Sequence, residues 1–409
     1  MQYVIVGNGI AGITAAEAIR QLDPSGRIIM IGDETALPYS RPMISMVLDG
    51  SIPSEKLPIR APSIYEDLNV ETLFGDRISE IDSDRREVVI EDGKRVPFDR
   101  LLIATGADAR LVDAQRAELK NIFTMRTEAH VRHILHGLSG VQNPLVLGGG
   151  LVGFKAAYGL LKRGLKPTML ITSAYPLSMQ VDETAGKMIL EELVRHGLTV
   201  RVGISVTAFE GRKRVEGALL SDGSTLPSDL VISGKGVLPA LSFVSKDQME
   251  ISQGILVDDH METSLKGVFA AGDVAECMDI ARKRPWVNAI WPEAVMQGRT
   301  AGVNMAGREV SYGGSLSRNV MRIFDLDLMT LGLANPGNDT QYHVLKTHDF
   351  RNNVYRKLVF RENVLVGAVL INDIEQGGLF LALIQNQTPL SISPKKLLEP
   401  GFNIRQLMN

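Results

Sequence analysis

The chain has 409 residues, too many for one ordinary core, so we expect two or three domains. Its net charge is −3 with 22% charged residues, a balance that predicts no nucleic-acid partner. The sequence contains one cysteine, Cys277, which excludes an internal disulfide, a Cys-x-x-Cys redox pair and a thiolate-bound cluster. Any electron chemistry must therefore use a bound organic cofactor.

A glycine-rich turn joins the first predicted strand to the first predicted helix. Gly7, Gly9 and Gly12 have the spacing of a dinucleotide site, in which phosphates approach bare backbone and meet the N–H groups of a helix N-terminus. A purely structural glycine turn is the alternative. The next strand ends at Asp33, 26 positions after Gly7, where a carboxylate can hold the hydroxyls of a ribose.

A second copy of this pattern, at Gly148, Gly150 and Gly153, lies 141 residues after the first. Two such motifs predict two Rossmann-like domains and two dinucleotides. The strand that follows ends at Thr172, where an acidic residue would normally bind the NAD ribose. No arginine cluster for a 2′-phosphate replaces it, and this second absence favours NADH. The residues predicted to bind NAD are Gly148, Gly149, Gly150, Leu151, Val152, Gly153, Thr172 and Gly236.

Several ordered segments resemble the NADH-dependent rubredoxin and ferredoxin reductases, which are FAD-dependent pyridine nucleotide oxidoreductases. The matching segments are the first glycine motif, Gly32-Asp-Glu34, Pro38-Tyr-Ser-Arg-Pro42, Ala104-Thr-Gly106, Gly272-Asp273 and Gln297-Gly-Arg299. The resemblance covers essentially the whole chain. It implies an α/β fold with two Rossmann-like dinucleotide-binding domains of the glutathione-reductase type and a C-terminal α+β interface domain.

The resemblance also implies domain boundaries and an FAD site. The FAD-binding domain is expected at 1–108 and 240–310, the NAD-binding domain at 109–239 and the interface domain at 311–409. In the family, the counterpart of Arg41 contacts the FAD pyrophosphate, that of Ile78 touches adenine through its backbone, and that of Asp273 binds the ribityl and phosphate region. The residues predicted to bind FAD are Gly7, Gly9, Ile10, Ala11, Gly12, Asp33, Glu34, Arg41, Pro42, Ile78, Ala104, Thr105, Gly106, Gly272, Asp273, Glu293 and Ala294.

The helix that includes Glu293 is expected to point its N-terminus at the pyrimidine edge of the flavin, where the helix dipole stabilises the negative charge of reduced flavin. The family's lysine–glutamate ion pair beside flavin N5 is not kept, because Met46 replaces the lysine and Lys155 the glutamate. We predict Lys155 as the catalytic residue, a cation that faces N5 from the other side of the pair. A solvated helix residue is the alternative.

The implied partner is an iron–sulfur or rubredoxin-type protein, met either transiently or in a stable complex. One such setting is the NAD-reducing subunit of an aldehyde or 2-oxo-acid oxidoreductase. The basic loop Arg282-Lys-Arg284, with Trp286 beside it, is a candidate docking platform, and an ordinary solvated loop is the alternative.

Other functions and ligands are weighed against this one. A disulfide or peroxide reductase is disfavoured, because no cysteine lies between residues 37 and 48 and Cys277 is expected to be buried and inert. A non-enzymatic NADH-binding flavoprotein stays open. Three histidines recur every third residue but point in different directions around a helix, so no metal is predicted: His130, His133 and His136. With no predicted membrane span, we expect a cytoplasmic protein.

Overall fold

The computed structural model describes residues 1–245, 247–399 and 402, and the chain divides into two compact units. Unit 1 comprises Met1–Pro42, Glu55–Asp108 and Leu238–Leu316, and unit 2 comprises Met43–Ser54, Ala109–Val237 and Ser317–Asn409. The predicted FAD-binding segments thus fall mainly in unit 1, whereas the predicted NAD-binding and interface segments fall mainly in unit 2. Residue 246 of the predicted FAD-binding domain lies outside the described residues, as do residues 400–401 and 403–409 of the predicted interface domain.

Helices and strands alternate near the two glycine motifs, and longer runs of the chain consist of strands alone. The α-helices of the described residues are α1 (Ile10–Leu22), α2 (Ile44–Leu48), α3 (Ile64–Asp67), α4 (Glu128–Gly137), α5 (Leu151–Lys162), α6 (Glu183–Arg195), α7 (Trp291–Met305) and α8 (Gly377–Gln385). Short 3₁₀ turns occupy Arg41–Met43, Ser54–Lys56 and Pro394–Leu398.

The strands up to the second glycine motif are β1 (Gln2–Val6), β2 (Arg27–Gly32), β3 (Val70–Phe74), β4 (Ile78–Asp82), β5 (Glu87–Ile90), β6 (Arg95–Pro97), β7 (Arg100–Ile103), β8 (Ala107–Ala109), β9 (Ile122–Thr124) and β10 (Pro144–Leu147). Those up to the start of α7 are β11 (Thr168–Ile171), β12 (Thr199–Val202), β13 (Val206–Glu210), β14 (Gly217–Leu220), β15 (Thr225–Pro227), β16 (Leu230–Ser233), β17 (Val237–Pro239), β18 (Ile255–Leu256), β19 (Val268–Ala270), β20 (Ala275–Asp279) and β21 (Arg284–Trp286). The last are β22 (Arg318–Ile323), β23 (Leu326–Gly332), β24 (Tyr342–Asp349), β25 (Val354–Arg361) and β26 (Val364–Ile371).

Unit 1 is built on a parallel five-stranded sheet in the order β19-β7-β1-β2-β3. The strands are nearly continuous apolar runs, as expected for a sheet covered on both faces. The short segments separated by turns between Val70 and Arg100 predict a small β-meander. For β3 this prediction is wrong, because Val70 pairs with Ile28 of β2 in the parallel sheet. Strands β4, β5 and β6 form the meander. The sequence of β3 alone does not specify the strand with which it pairs.

Unit 2 contains a second parallel five-stranded sheet, in the order β12-β11-β10-β16-β9. A separate antiparallel sheet, β22-β23-β26-β25-β24, is formed by the C-terminal segment. Its central strand β26 is buried over seven consecutive residues. The apolar segments on either side of Glu362-Asn363 predict a hairpin that turns there. The hairpin of β25 and β26 is present, with Glu362 in the left-handed region at φ 52°.

Helices α1 and α7 of unit 1 approach each other along their glycines. A Cβ at Gly298 would lie 2.3 Å from the Ala11 carbonyl oxygen, and one at Gly302 would lie 2.5 Å from that of Ala15. Backbone atoms cannot yield to such contacts, so this seam admits only glycine. The close packing fixes where α7 begins relative to the first glycine motif.

Candidate functional site

The carboxyl edge of the unit 1 sheet collects four of the predicted FAD segments. Gly7 follows β1, Asp33 follows β2, Ala104 follows β7 and Gly272 follows β19. Backbone hydrogen bonds hold neighbouring segments together, from Gly7 N–H to the Ile31 carbonyl at 2.8 Å and from Ala104 N–H to that of Val6 at 2.7 Å. In open parallel sheets this edge is where ligands bind.

The first glycine motif has the geometry of a phosphate cradle. Gly7 has φ 118°, and a Cβ on Gly12 would lie 2.0 Å from the Gly7 carbonyl oxygen, so both positions require glycine. A Cβ on Gly9 would meet no atom of the described residues within 4 Å, and Gly9, the N-cap of α1, has no side chain with which to cap the helix. Open space in front of uncapped N–H groups fits the pyrophosphate of a dinucleotide. Ile10 and Ala11 form the first turn of that helix.

Arg41 is held in place by two neighbours. Its guanidinium lies 2.5 Å from the Glu34 carboxylate, which also accepts a hydrogen bond of 2.7 Å from the Tyr39 hydroxyl. Burial would lower the pKa of Arg41, but electrostatic interactions with Tyr39, Glu34 and Asp273 outweigh it and raise the pKa above its ordinary value. Glu34 therefore orients a permanent cation, a contact that the sequence did not reveal, and Pro42 follows Arg41 in an exposed turn.

The remaining predicted FAD residues of the sheet edge have other partners in the fold. Asp33 is exposed and pairs with Arg77 at 2.9 Å, just before buried Ile78 at the start of β4. The Thr105 hydroxyl donates to the Ala240 carbonyl at 3.1 Å, and Gly106 accepts from Ala240 N–H at 3.1 Å. An adenosine ribose at Asp33 would thus share the carboxylate with Arg77.

The start of α7 is tied to the Gly272-Asp273 turn. Gly272 N–H donates to the side-chain oxygen of Gln297 at 2.8 Å, and Gly272 has φ 84°. Glu293 and Ala294, in the first turn of α7, are 1% and 6% exposed. The Tyr312 hydroxyl donates to the Glu293 carboxylate. Tyr312 was missed by sequence reasoning, because no motif surrounds it.

The second glycine motif, in unit 2, repeats the geometry of the first. A Cβ on Gly153 would lie 2.0 Å from the Gly148 carbonyl oxygen, and one on Gly148 would lie 2.6 Å from that of Gly234. A Cβ on Gly150 would meet no atom of the described part of the chain within 4 Å. Gly150 is the N-cap of α5 and has no side chain with which to cap it, and the first residues of the helix are Leu151 and Val152. This cradle therefore also fits a dinucleotide pyrophosphate.

The loop after β11 borders this second cradle. Thr172 is exposed at its start, and Leu177 N–H further along donates to the Gly149 carbonyl at 2.9 Å. The Asn335 side-chain amide donates to the carbonyls of Ser178 and Val181, both at 3.0 Å, which fixes the loop from the C-terminal segment. Sequence reasoning missed Asn335, which lies more than 150 positions away in the chain. Gly236, after β16, is exposed with φ 92°.

Lys155 lies on α5 and is partly withdrawn from water. Burial lowers the pKa of the Lys155 ammonium. This partial burial disagrees with the alternative in which Lys155 is a fully solvated helix residue. Met46, the other departure from the family pattern, lies on α2 with 37% of its surface exposed. Helix α2 packs on α5, because Leu48 accepts a hydrogen bond from Arg163 and a Cβ on Gly159 would lie 2.9 Å from Leu48 Cγ.

The single thiol is buried beside α7. Cys277 is 2% exposed, and the Gln297 amide lies 3.4 Å from its Sγ. Burial raises the pKa of the thiol to about 11, so thiolate is scarce near neutral pH. The placement agrees with the expected inert cysteine.

The basic loop is only partly available for docking. Arg282 pairs with buried Asp279 at 2.9 Å, and both Arg282 and Arg284 lie over the Trp286 ring, 4.7 and 5.0 Å from its centroid. Lys283 and Arg284 are exposed. The outward charge therefore comes mainly from these two residues.

The described residues include two groups of side chains that could ligate a metal ion. The groups of potential ligands there are Glu192 with His196 and Asp325, and Asp258 with Asp259 and His260; the histidine series of α4 is not among them. In the same part of the chain, every helix is too short or too polar to cross a bilayer.

Comparison with known proteins adds to this geometry. Residues 1–298 match the model of the pyridine nucleotide-disulphide oxidoreductase family, and residues 318–388 match that of the rubredoxin NAD⁺ reductase C-terminal domain. The chain belongs to the pyridine nucleotide-disulphide oxidoreductase family. The predicted membership, the fold class and the cofactors FAD and NAD are thereby confirmed.

Individual relatives cover the chain almost completely. A chain of the crystal structure of the covalent putidaredoxin reductase–putidaredoxin complex has a TM-score of 0.90 and 25% identity, covering 100% of this chain and 98% of that one. The epsilon subunit of the NADH-dependent phenylglyoxylate dehydrogenase of Aromatoleum evansii is 28% identical over 95% of this chain and 93% of its own. Nitrite reductase [NAD(P)H] of Bacillus subtilis is 27% identical over 98% of this chain but only 49% of its own, so the chain spans about half of that relative.

Proposed function

We propose that the protein exchanges electrons between NAD(H) and an iron–sulfur or rubredoxin-type protein, with FAD at the first glycine motif and NAD(H) at the second. The observation that carries the proposal is the repeated cradle: an uncapped helix N-terminus behind open space at Gly9 and again at Gly150. Bound FAD would supply the conversion between hydride and single electrons. The protein's own groups bind, orient and set the local charge.

The residues predicted for each cofactor take specific parts in this proposal. Arg41, already fixed by Glu34, would neutralise phosphate charge, and Gly272 with Asp273 would face the sugar-phosphate region. The N-terminus of α7 would meet the flavin pyrimidine edge. Lys155 would place a cation beside the reacting atoms, where partial burial strengthens its field.

The partner is proposed to be bound in a stable complex, in which this chain is the NAD-reducing subunit of an aldehyde or 2-oxo-acid oxidoreductase. Support comes from the nearly full-length likeness to a subunit of the NADH-dependent phenylglyoxylate dehydrogenase. The buried state of Cys277 argues against the disulfide or peroxide reductase alternative, which would need an accessible thiol. A cytoplasmic location stays a prediction.

Two alanine substitutions separate the cofactor sites. Because a Cβ at Gly9 or Gly150 meets no protein atom, Gly9→Ala and Gly150→Ala should fold normally while filling one cradle each. We expect Gly9→Ala to lose FAD absorbance. We expect Gly150→Ala to keep FAD but to need about tenfold more NADH for anaerobic bleaching of the flavin.

The same assay tests the reaction itself. The wild-type protein should be bleached by NADH without oxygen and reoxidised quickly by an iron–sulfur protein, but slowly by air. If NADH does not bleach the flavin, the alternative of a non-enzymatic NADH-binding flavoprotein is favoured. If a disulfide or a peroxide reoxidises the flavin quickly, the disulfide or peroxide reductase alternative is favoured.

A further inference from the structure

A buried acid lies in the first turn of α7. Glu293 is the third residue of this helix and is 1% exposed, although carboxylates are rarely buried so completely. Its carboxylate accepts a hydrogen bond from the Tyr312 hydroxyl, and Tyr312 is itself 8% exposed. The Tyr312 backbone is anchored by an N–H bond of 2.5 Å to the Asp259 carbonyl, so the donor is held in position.

Tyr312 is suited to support a charged carboxylate. Burial raises the pKa of its hydroxyl, and the charge of Glu293 raises it further, so the hydroxyl keeps its proton and donates. Hydrogen bonds to the ionised form favour that form of an acid. The N–H groups at the start of α7 favour it as well, because a helix N-terminus carries about half a positive charge.

The same turn is connected to the proposed flavin site. Gln297, one turn further along α7, accepts from Gly272 N–H at 2.8 Å, and its amide lies 3.4 Å from Cys277 Sγ. The Tyr312 hydroxyl is also hydrogen-bonded to the Gln297 side chain, so Glu293 is connected through Tyr312 to the contact between α7 and Gly272. An ionised group here acts through protein rather than water, so its field is weakly screened.

We propose that ionised Glu293 offsets the positive pole of α7 and thereby lowers the reduction potential of the FAD bound at that helix terminus. This inference rests on the proposed FAD site. A helix N-terminus alone would stabilise the extra negative charge of the reduced cofactor, and the carboxylate opposes that stabilisation. The hydride equilibrium, in which two electrons and one proton pass between nicotinamide and flavin, is thus shifted toward NADH. Such a shift suits a subunit that reduces NAD⁺.

The test is a reductive titration of the bound flavin in Glu293→Gln and Glu293→Met. Both variants remove the charge, and the glutamine keeps an oxygen acceptor for Tyr312. We expect the equilibrium constant for reduction by NADH to rise about tenfold in each, which for a two-electron couple corresponds to about 30 mV. Spectroelectrochemistry reads the midpoint directly, without turnover.

Glu276→Gln is the matched control. Glu276 is also buried in unit 1, at 3% exposure, but its carboxylate accepts from the Gln253 and Gly254 N–H groups at 2.7 and 2.9 Å. It follows Ala275 on β20 and points away from the face that carries Cys277. In Glu276→Gln, we expect the equilibrium constant for reduction of the flavin by NADH to stay within about twofold of the wild-type value.

Three results would overturn the inference, and a fourth would contradict the proposed function on which it rests. An unchanged midpoint in FAD-loaded Glu293→Gln would overturn the inference, as would an equal shift in Glu276→Gln. A shift only in Glu293→Met would also overturn it, because lost hydrogen bonding rather than charge would be the cause. Failure of the wild type to bind FAD would instead contradict the proposed function.

Discussion

Asp182 connects distant parts of unit 2 through one carboxylate. It is the N-cap of α6, with Ala185 N–H 3.3 Å from Oδ1, while Oδ2 accepts from the Tyr355 hydroxyl at 2.8 Å. Lys346 lies 2.6 Å from Oδ2 and buried Lys357 lies 3.5 Å from it. Burial opposes ionisation, but the bonds from Lys346 and Tyr355 outweigh it and lower the pKa of Asp182. The partners Lys346, Tyr355 and Lys357 lie more than 160 positions away from Asp182 in the chain.

Replacement of Asp182 by asparagine should destabilise unit 2. The cap survives, but the ammonium of Lys357, 3% exposed, loses its counter-charge, so we expect a loss of about 3–5 kcal/mol in the free energy of unfolding. Because the folded pKa of Asp182 is lowered, its contribution is present above the unfolded value near 3.9 and fades as the pH falls below it.

Urea denaturation at several pH values measures this effect. The difference between wild type and Asp182→Asn should be largest near neutrality and shrink in acid. Asp339→Asn is the control, because this carboxylate lies in an exposed turn and should change stability by less than about 0.5 kcal/mol. A difference independent of pH would contradict the charge argument.

Lys155→Met should slow reduction of the flavin by NADH about tenfold, since one well-placed charge contributes on the order of 1–4 kcal/mol in a water-poor site. Lys162→Met removes the same charge from the same helix but from an exposed residue over the Tyr158 ring. The rate of flavin bleaching by NADH, measured by stopped flow, should fall in Lys155→Met and stay unchanged in Lys162→Met. If both variants reduce the flavin at the same rate, Lys155 is an ordinary helix residue and the catalytic prediction is wrong.

At the scale of elements, the seam between α1 and α7 positions the first glycine motif. Gly302→Ala would place a Cβ 2.5 Å from the Ala15 carbonyl oxygen, so the helices must separate. We expect a stability loss of about 1–3 kcal/mol together with weaker FAD retention during gel filtration. Gly313→Ala, whose Cβ would meet nothing within 4 Å, should change neither property.

Most local elements could be predicted from the sequence. Helix α1 ends at Leu22, just before the helix-stopping segment Asp23-Pro-Ser-Gly26. Helices α5 and α6 each end two residues before a glycine with positive φ, Gly164 at 81° and Gly197 at 86°. The assignment of β3 to the meander was wrong, since parallel pairing with β2 depends on a partner some 40 residues earlier. Local propensity specifies that a strand forms, and only the assembled sheet specifies its neighbour.

At the scale of the whole molecule, net charge −3 leaves room for a local basic surface. Lys283→Glu/Arg284→Glu should raise the KM for an acidic iron–sulfur partner about tenfold at low salt and flatten its salt dependence. Reduction of FAD by NADH should not change. Arg282 is left intact, because its pair with Asp279 contributes to the fold.

The control for the charge reversal is Arg85→Glu/Lys94→Glu. It changes the net charge equally, at two exposed residues of the same unit. A tenfold effect in both double variants would show a general charge effect and contradict a localised docking platform.

The sequence by itself determined the two glycine turns, the family and the cofactors, because these depend on residues a few positions apart whose spacing encodes a backbone conformation. It also determined that no thiol pair takes part, since composition alone decides that. The tertiary structure decided which carboxylates are already engaged: Asp33 with Arg77, Glu34 with Arg41 and Glu293 with Tyr312. Long-range folding brings most of these partners together, and no local pattern records it.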